Sequence, residues 1–556
     1  MAGIRKKRFW YGRKVIRTAF LGVAVAAISS GAFTDQSAVA QDADGDFQFI
    51  GYQGCADCHS KDPDIRRRLE RDRSFSAMNE VIIFEHDKHV AAFELLKTPL
   101  GQQMERILQT TDAWAGRKVT EAQQCLSCHS GWIKGHKKPD VYEYGVTCEA
   151  CHGAAGSWEA PHTRDTWRLL DPGKKEKDHN FIDVRNPLRR AEQCFSCHIG
   201  NEKEGKVVTH EMYAAGHPPL PGIEIENFIS EMPSHWRGIR EKGEFRHFEG
   251  YLKANFPGME YDPLKDLPKT KSVLVGGVMA LHESIELLAD MSGNESWPEL
   301  AVFDCTACHH DLRSPAWRQT RGYSGLIPGR PGTFEWPNAL IKVAIHHRAG
   351  GDPAQFKAEW DAFAEKKAEL TAALNAQPFG TSQGLGKAAA SILPWLRQLA
   401  SEISTSSVQK PQAELAMKQI LALGPRDYPD YHSARQILWA YRTIRSEVTT
   451  PYPTFKGKPD GEESLKAAQD RGYENLQFFI SWKKGPQATG RIQVDELLEK
   501  LQVSEAMRLQ LPASVDHHIV RDPETGEAGA ITKNLEAIGA YDPAWFREKL
   551  KMLAAE

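Results

Sequence analysis

Apolar positions fall into three regimes along the chain. An N-terminal apolar run, Ala19 to Ala27, follows a basic stretch (Arg5, Lys6, Lys7, Arg8, Arg13, Lys14) and precedes the small-residue site Ala38-Val39-Ala40. This pattern predicts a secretory signal cleaved after Ala40, because the run is shorter than the ~20 residues that span a bilayer. Residues 41–48 are polar and acidic and are expected to form a disordered linker. From about residue 49 to 336 helical periodicity is isolated. One stretch is Val90 to Leu108, with Phe93, Leu96, Leu100, Met104, Ile107 and Leu108 three or four apart and a potential break at Pro99-Leu100-Gly101. Another is Ser272 to Met291, and Gly- and Pro-rich segments lie between. From 337 to 556 amphipathic segments follow one another. Asp352-Pro353 starts a helix carrying Phe356, Trp360, Phe363, Leu370 and Leu374 on one face. Leu385–Ile403, Pro411–Leu423, Ser433–Val448, Glu462–Trp482, Val494–Leu509 and a helix begun by Asp542-Pro543 come after it. The expected fold class is mainly α, a region with little regular sheet at 49–336 followed by a C-terminal helical bundle at 337–556.

The cysteines change this picture. All 10 lie in five copies of one pattern: Cys55–Cys58–His59, Cys125–Cys128–His129, Cys148–Cys151–His152, Cys194–Cys197–His198 and Cys305–Cys308–His309. C-x-x-C-H is the attachment signature of haem c, in which two thiols add to the vinyl groups and the adjacent histidine ligates iron. Cys128 and Cys148 also fit a zinc-ribbon spacing, but five is an odd number of pairs. Histidine makes up 21 of 556 residues, so its presence after every pair has a chance probability on the order of 10⁻⁷. Five covalently bound haems are therefore expected, and the porphyrins supply much of the apolar core of 49–336. Motif starts at 55, 125, 148, 194 and 305 are too uneven for a repeat array. The short tether from 125 to 148 keeps two haems near each other.

With 70 basic and 73 acidic side chains the net charge is −3, which gives no overall attraction to nucleic acid or an anionic membrane. Val273 to Met291 is interrupted by His282, Glu283 and Glu286, so no mature transmembrane helix is expected. Export to the periplasm agrees with haem attachment, which consumes thiols that an oxidising compartment would otherwise pair.

Function turns on the sixth ligand, since two imidazoles close an iron for electron transfer and an open face admits substrate. Among the histidines outside the motifs, His89, His162 and His217 are the leading candidates as distal ligands. His136, His210 and His282 are further ones. The stretches Glu85 to Phe93, Tyr144 to Gly153, Ser157 to His162 and Thr209 to Pro218 resemble the multihaem cytochromes of the cytochrome c-554 and c-prime type, a family related to hydroxylamine oxidoreductase in haem packing. The resemblance covers about residues 50–315. It implies parallel and perpendicular haem pairs, mostly bis-histidine ligation with His89, His162 and His217 distal, and electron transfer in nitrogen or related respiratory metabolism. The expected partners are redox proteins, either other cytochromes or a quinol-linked membrane complex. The competing reading is an oxidoreductase acting on a small nitrogen or sulfur compound at one five-coordinate haem. A third makes the helical half a docking module within a larger complex.

Overall fold

A computed structural model describes residues 49–56, 59, 87–132, 142–230, 232, 266–309, 325–449 and 541–555. The expected signal, the acidic linker and the segments Glu462–Trp482 and Val494–Leu509 lie outside these residues. Among the described residues every regular element is an α-helix or a 3-10 turn, with no strand and one isolated bridge between Asn201 and Lys206.

The core is organised on the helix Pro268–Ser292, which packs against the helices Ser382–Thr405, Pro187–His198, Tyr431–Thr449 and Ile341–Arg348. It runs four residues further upstream than the apolar pattern suggests because Pro268 opens it and the Glu447 carboxylate caps it. That carboxylate accepts from Lys269 N at 2.9 Å and Thr270 N at 2.7 Å. At 25 residues the helix is long and apolar enough to cross a membrane, unlike the expectation from sequence. However, 78% of its most apolar stretch is buried inside the protein, so its surface is already used. One hydrophobic core, from Ala191 to Leu553, takes in residues on both sides of Pro337.

The C-terminal segments form helices as their 3.6 period requires. Pro353–Ala376 starts at Asp352, whose Oδ1 accepts from Ala354 N at 2.8 Å, and Phe363, Leu370 and Leu374 are buried. The helices Lys410–Ala422, Tyr431–Thr449 and Pro543–Ala555 match the remaining described segments. The helix expected over Val90–Leu108 is divided. Two 3-10 turns, Lys88–Ala91 and Glu94–Lys97, precede a helix from Pro99 to Leu108, and Thr98 Oγ1 caps Gly101 N. Pro99 thus begins the helix instead of breaking it, since its missing N–H falls where no intrahelical partner exists.

Candidate haem-binding site

Four motifs sit on or beside short helices: Gly51–Ala56, Gln123–His129, Cys148–His152 and Pro187–His198. The fifth sits on a 3-10 turn, Cys305–Ala307. Polar pins hold them in place. Glu149, between the cysteines of the third motif, is buried. Its Oε2 accepts from Gly51 N at 2.8 Å and its Oε1 from Ile50 N at 3.0 Å, so a carboxylate caps the helix that carries the first motif. The Cys55 and Cys148 side chains are near enough to interact. Those of Cys128 and Cys197, in the second and fourth motifs, are likewise near. Arg190 ties the fourth-motif helix to the central helix through Ser272 Oγ at 2.7 Å, and Arg397 reaches it from the C-terminal layer through Glu192 at 2.7 Å.

Two glycines permit close approaches here. Gly145 has φ +74°, and a Cβ there would lie 2.4 Å from Val90 O. Only glycine lets the lead-in of the third motif pass the His89 turn, where Val146 N donates to His89 O at 3.0 Å. Gly153, φ +80°, does the same against Asn180 O, beside the bond from Ile182 N to His152 O.

The distal candidates converge on the motif histidines. His162 lies across from His59 with ring centroids 6.2 Å apart, His89 across from His198 at 6.3 Å and His210 across from His309 at 6.3 Å. The interplanar angles are 26°, 89° and 27°. Two imidazoles bound to opposite sides of one metal through bonds of about 2.0–2.1 Å stand with ring centres about 6 Å apart. His217 lies within electrostatic reach of His129. His152 has the Phe181 ring at 5.5 Å and 15°. His282 is buried in the central helix, where its Nδ1 meets Glu283 at 3.0 Å and Glu286 at 3.9 Å instead of a motif imidazole among the described residues. His136 and Cys58 fall outside the described residues.

Four of these imidazoles also have their other nitrogen occupied. His129 Nδ1 donates to Ala92 O at 2.6 Å, His217 Nδ1 to Pro218 O at 2.7 Å, His162 Nδ1 to Glu159 O and His89 Nδ1 to Asp87 Oδ1 at 2.9 Å. A carbonyl acceptor fixes the proton on Nδ1 and leaves Nε2 with a lone pair for metal. Desolvation, with a neighbouring imidazole adding to it, holds His198 and His217 down to about 4, and desolvation also lowers His129 and His162. These rings are neutral at pH 7, the state that ligates. At His89 desolvation is outweighed by Asp87, whose hydrogen bond and charge raise it.

Residues 54–153 match the family model of cytochrome c554 and c-prime, over the first three motifs. Over that stretch the chain is similar to the cytochrome c-554 type. Cytochrome c-554 of Nitrosomonas europaea is 21% identical over 187 residues, which are 32% of this chain and 69% of that protein. No solved structure matches the chain. The similarity suggests covalently bound haem c and haem-based electron transfer, and the residues present fit that group. The thiols come in attachment pairs, and burial keeps His129, His162, His198 and His217 neutral, with Nε2 free to ligate where Nδ1 is hydrogen-bonded. Haem bound there would supply a one-electron iron couple. The motif and facing histidines would hold its iron, and the backbone and Asp87 acceptors would fix their tautomers. Sequence reasoning missed Glu149, Asp87 and Phe181. Asp87 was within view as the acid two residues before His89, whereas Glu149 looked like an arbitrary spacer.

Proposed function

We propose that this chain is a five-haem cytochrome c that passes single electrons between redox proteins in respiratory, including nitrogen, metabolism. Haems are held covalently by the five cysteine pairs. His59 with His162, His129 with His217, His198 with His89 and His309 with His210 form axial pairs. The observation that carries the reading is the repeated spacing of 6.2 to 6.3 Å between a motif imidazole and a non-motif one, which suits closed, six-coordinate iron and hence electron transfer over substrate binding. The basic stretch, apolar run and Ala38-Val39-Ala40 support a periplasmic setting. Residues 49–336 bear the haems on this reading, and 337–556 buttress them. Other cytochromes or a quinol-linked membrane complex are the donors and acceptors.

Electron paramagnetic resonance of the oxidised protein, with haem per chain counted by mass in the same sample, tests this. Five haems by mass are expected, with low-spin signals from the four paired above, one of them more anisotropic than the rest because the planes of His89 and His198 are near perpendicular. Fewer haems by mass would remove the count. A high-spin signal that shifts with nitrite, nitric oxide or hydroxylamine would replace electron transfer with an oxidoreductase.

A further inference from the structure

The turn between Asn201 and Lys206, closed by Asn201 N to Lys206 O at 2.8 Å and Lys206 N to Asn201 O at 2.9 Å, is inserted between the second and fourth motifs. It holds both by the same position. Ser127, the residue before Cys128, donates from Oγ to Gly205 O at 2.9 Å. Ser196, the residue before Cys197, accepts from Lys206 Nζ at 3.1 Å. Lys206 is 4% exposed, and its ammonium is ion-paired with Glu204, whose side chain is 19% exposed. Cys197 and Cys128 both lie within its electrostatic reach, and Cys151 of the third motif feels it too. A buried ammonium is costly unless something requires it, and neither cysteine attachment nor axial ligation uses this one.

We propose that Lys206 sets the reduction potential of the haem held by Cys194 and Cys197, and more weakly that of the haem held by Cys125 and Cys128, with Glu204 as the opposing charge. The proposal rests on the haem reading above. When one electron arrives, Fe(III) becomes Fe(II) and the site loses one positive charge, with no bond made or broken. The electron comes from a reduced redox-protein partner. A fixed positive charge nearby favours the reduced state, and a fixed negative charge the oxidised one. Because the pair is shielded from water, the effect is weakly screened by salt. The two charges do not cancel at the iron, since Lys206 is bonded to Ser196 of the motif itself, while Glu204 is more exposed and so more screened by water.

The test is a potentiometric titration of the full holoprotein followed by electron paramagnetic resonance, using the anisotropic signal of the His89 and His198 pair to report the fourth-motif haem. Lys206→Met is expected to lower that midpoint, Lys206→Arg to leave it near the parent value, and Glu204→Gln to raise it. A structural loosening would move both neutralised variants the same way, so opposite signs identify the charge. An unmoved midpoint in Lys206→Met, or a fall in Glu204→Gln, overturns the proposal. If Lys206→Met loses haem by mass, Glu204→Gln decides alone, a rise supporting the assignment and anything else refuting it. A parent protein with fewer than five haems would count against the haem reading, while a full haem complement with unmoved midpoints would count only against the role of Lys206.

Discussion

The residues around the motifs and the helices of the C-terminal layer are built on different principles. Between residues 87 and 230 the elements run from 3 to 12 residues, and the second, smaller core cluster there has nine buried members, among them Phe93, Trp114 and Leu126. From Pro268 onward three helices reach 24 or 25 residues, and Ile392, Leu396, Leu399 and Ile437 are fully buried in one continuous core. The layer is held by apolar area, which is non-directional and tolerant. The motif region is held by individual bonds, Glu149 to Gly51, Asp87 to His89 and Ser127 to Gly205, each of which fixes one contact. Short elements alone bury too little to offset the entropy of ordering them. On the haem reading, the motif region would depend on its cofactor and the layer would not.

The sharpest way to break this contrast is to remove one attachment. Cys148→Ser with Cys151→Ser should lose one haem by mass, and hydrogen exchange should rise in Gly51–Ala56, whose cap is Glu149, while Ser382–Thr405 keeps its protection. An unchanged mass would end the claim of attachment at the third motif. The reverse experiment truncates the layer. Leu396→Ala should cost about 2–5 kcal/mol in chemical unfolding yet leave the haem count and the low-spin signals as they were. A loss of haem in that variant would show the two regions to be less independent than their packing implies. The smallest effect is expected at Glu224, where burial pushes the carboxyl up to about 8 and Glu226 adds to it. Between pH 4.5 and about 8 the folded state holds a proton that the unfolded chain has lost, so stability falls as pH rises through that window. Glu224→Gln should flatten the fall in thermal midpoint, and an unaltered slope would assign it elsewhere.

What could be read from sequence follows the same division. Helices of the layer announce themselves by period, and Asp352-Pro353 and Asp542-Pro543 mark starts the structure keeps, with Asp542 Oδ1 accepting from Ala544 N at 2.8 Å. Missed was Ile341–Arg348, where four buried residues and four basic ones in eight positions leave no clean stripe. The motifs were legible because attachment chemistry dictates residue types at fixed offsets. Their surroundings were not, because a spacer such as Glu149 takes its meaning from a partner 98 residues away, and no local pattern encodes that distance. The candidates His89, His162 and His210 reach motif imidazoles through turns and short helices that carry little periodicity. His282, in a strongly apolar helix, drew notice for being polar where it was not expected and meets carboxylates there.

The separation of Glu149 from Ile50 and Gly51, 99 and 98 residues, also sets an order in time. A chain made N-terminus first at about 5–20 residues per second takes about 5–20 s to extend from the first motif to its anchor. For that interval the helix Gly51–Ala56 lacks the cap that Glu149 provides, and its docking can come only when the third motif has emerged.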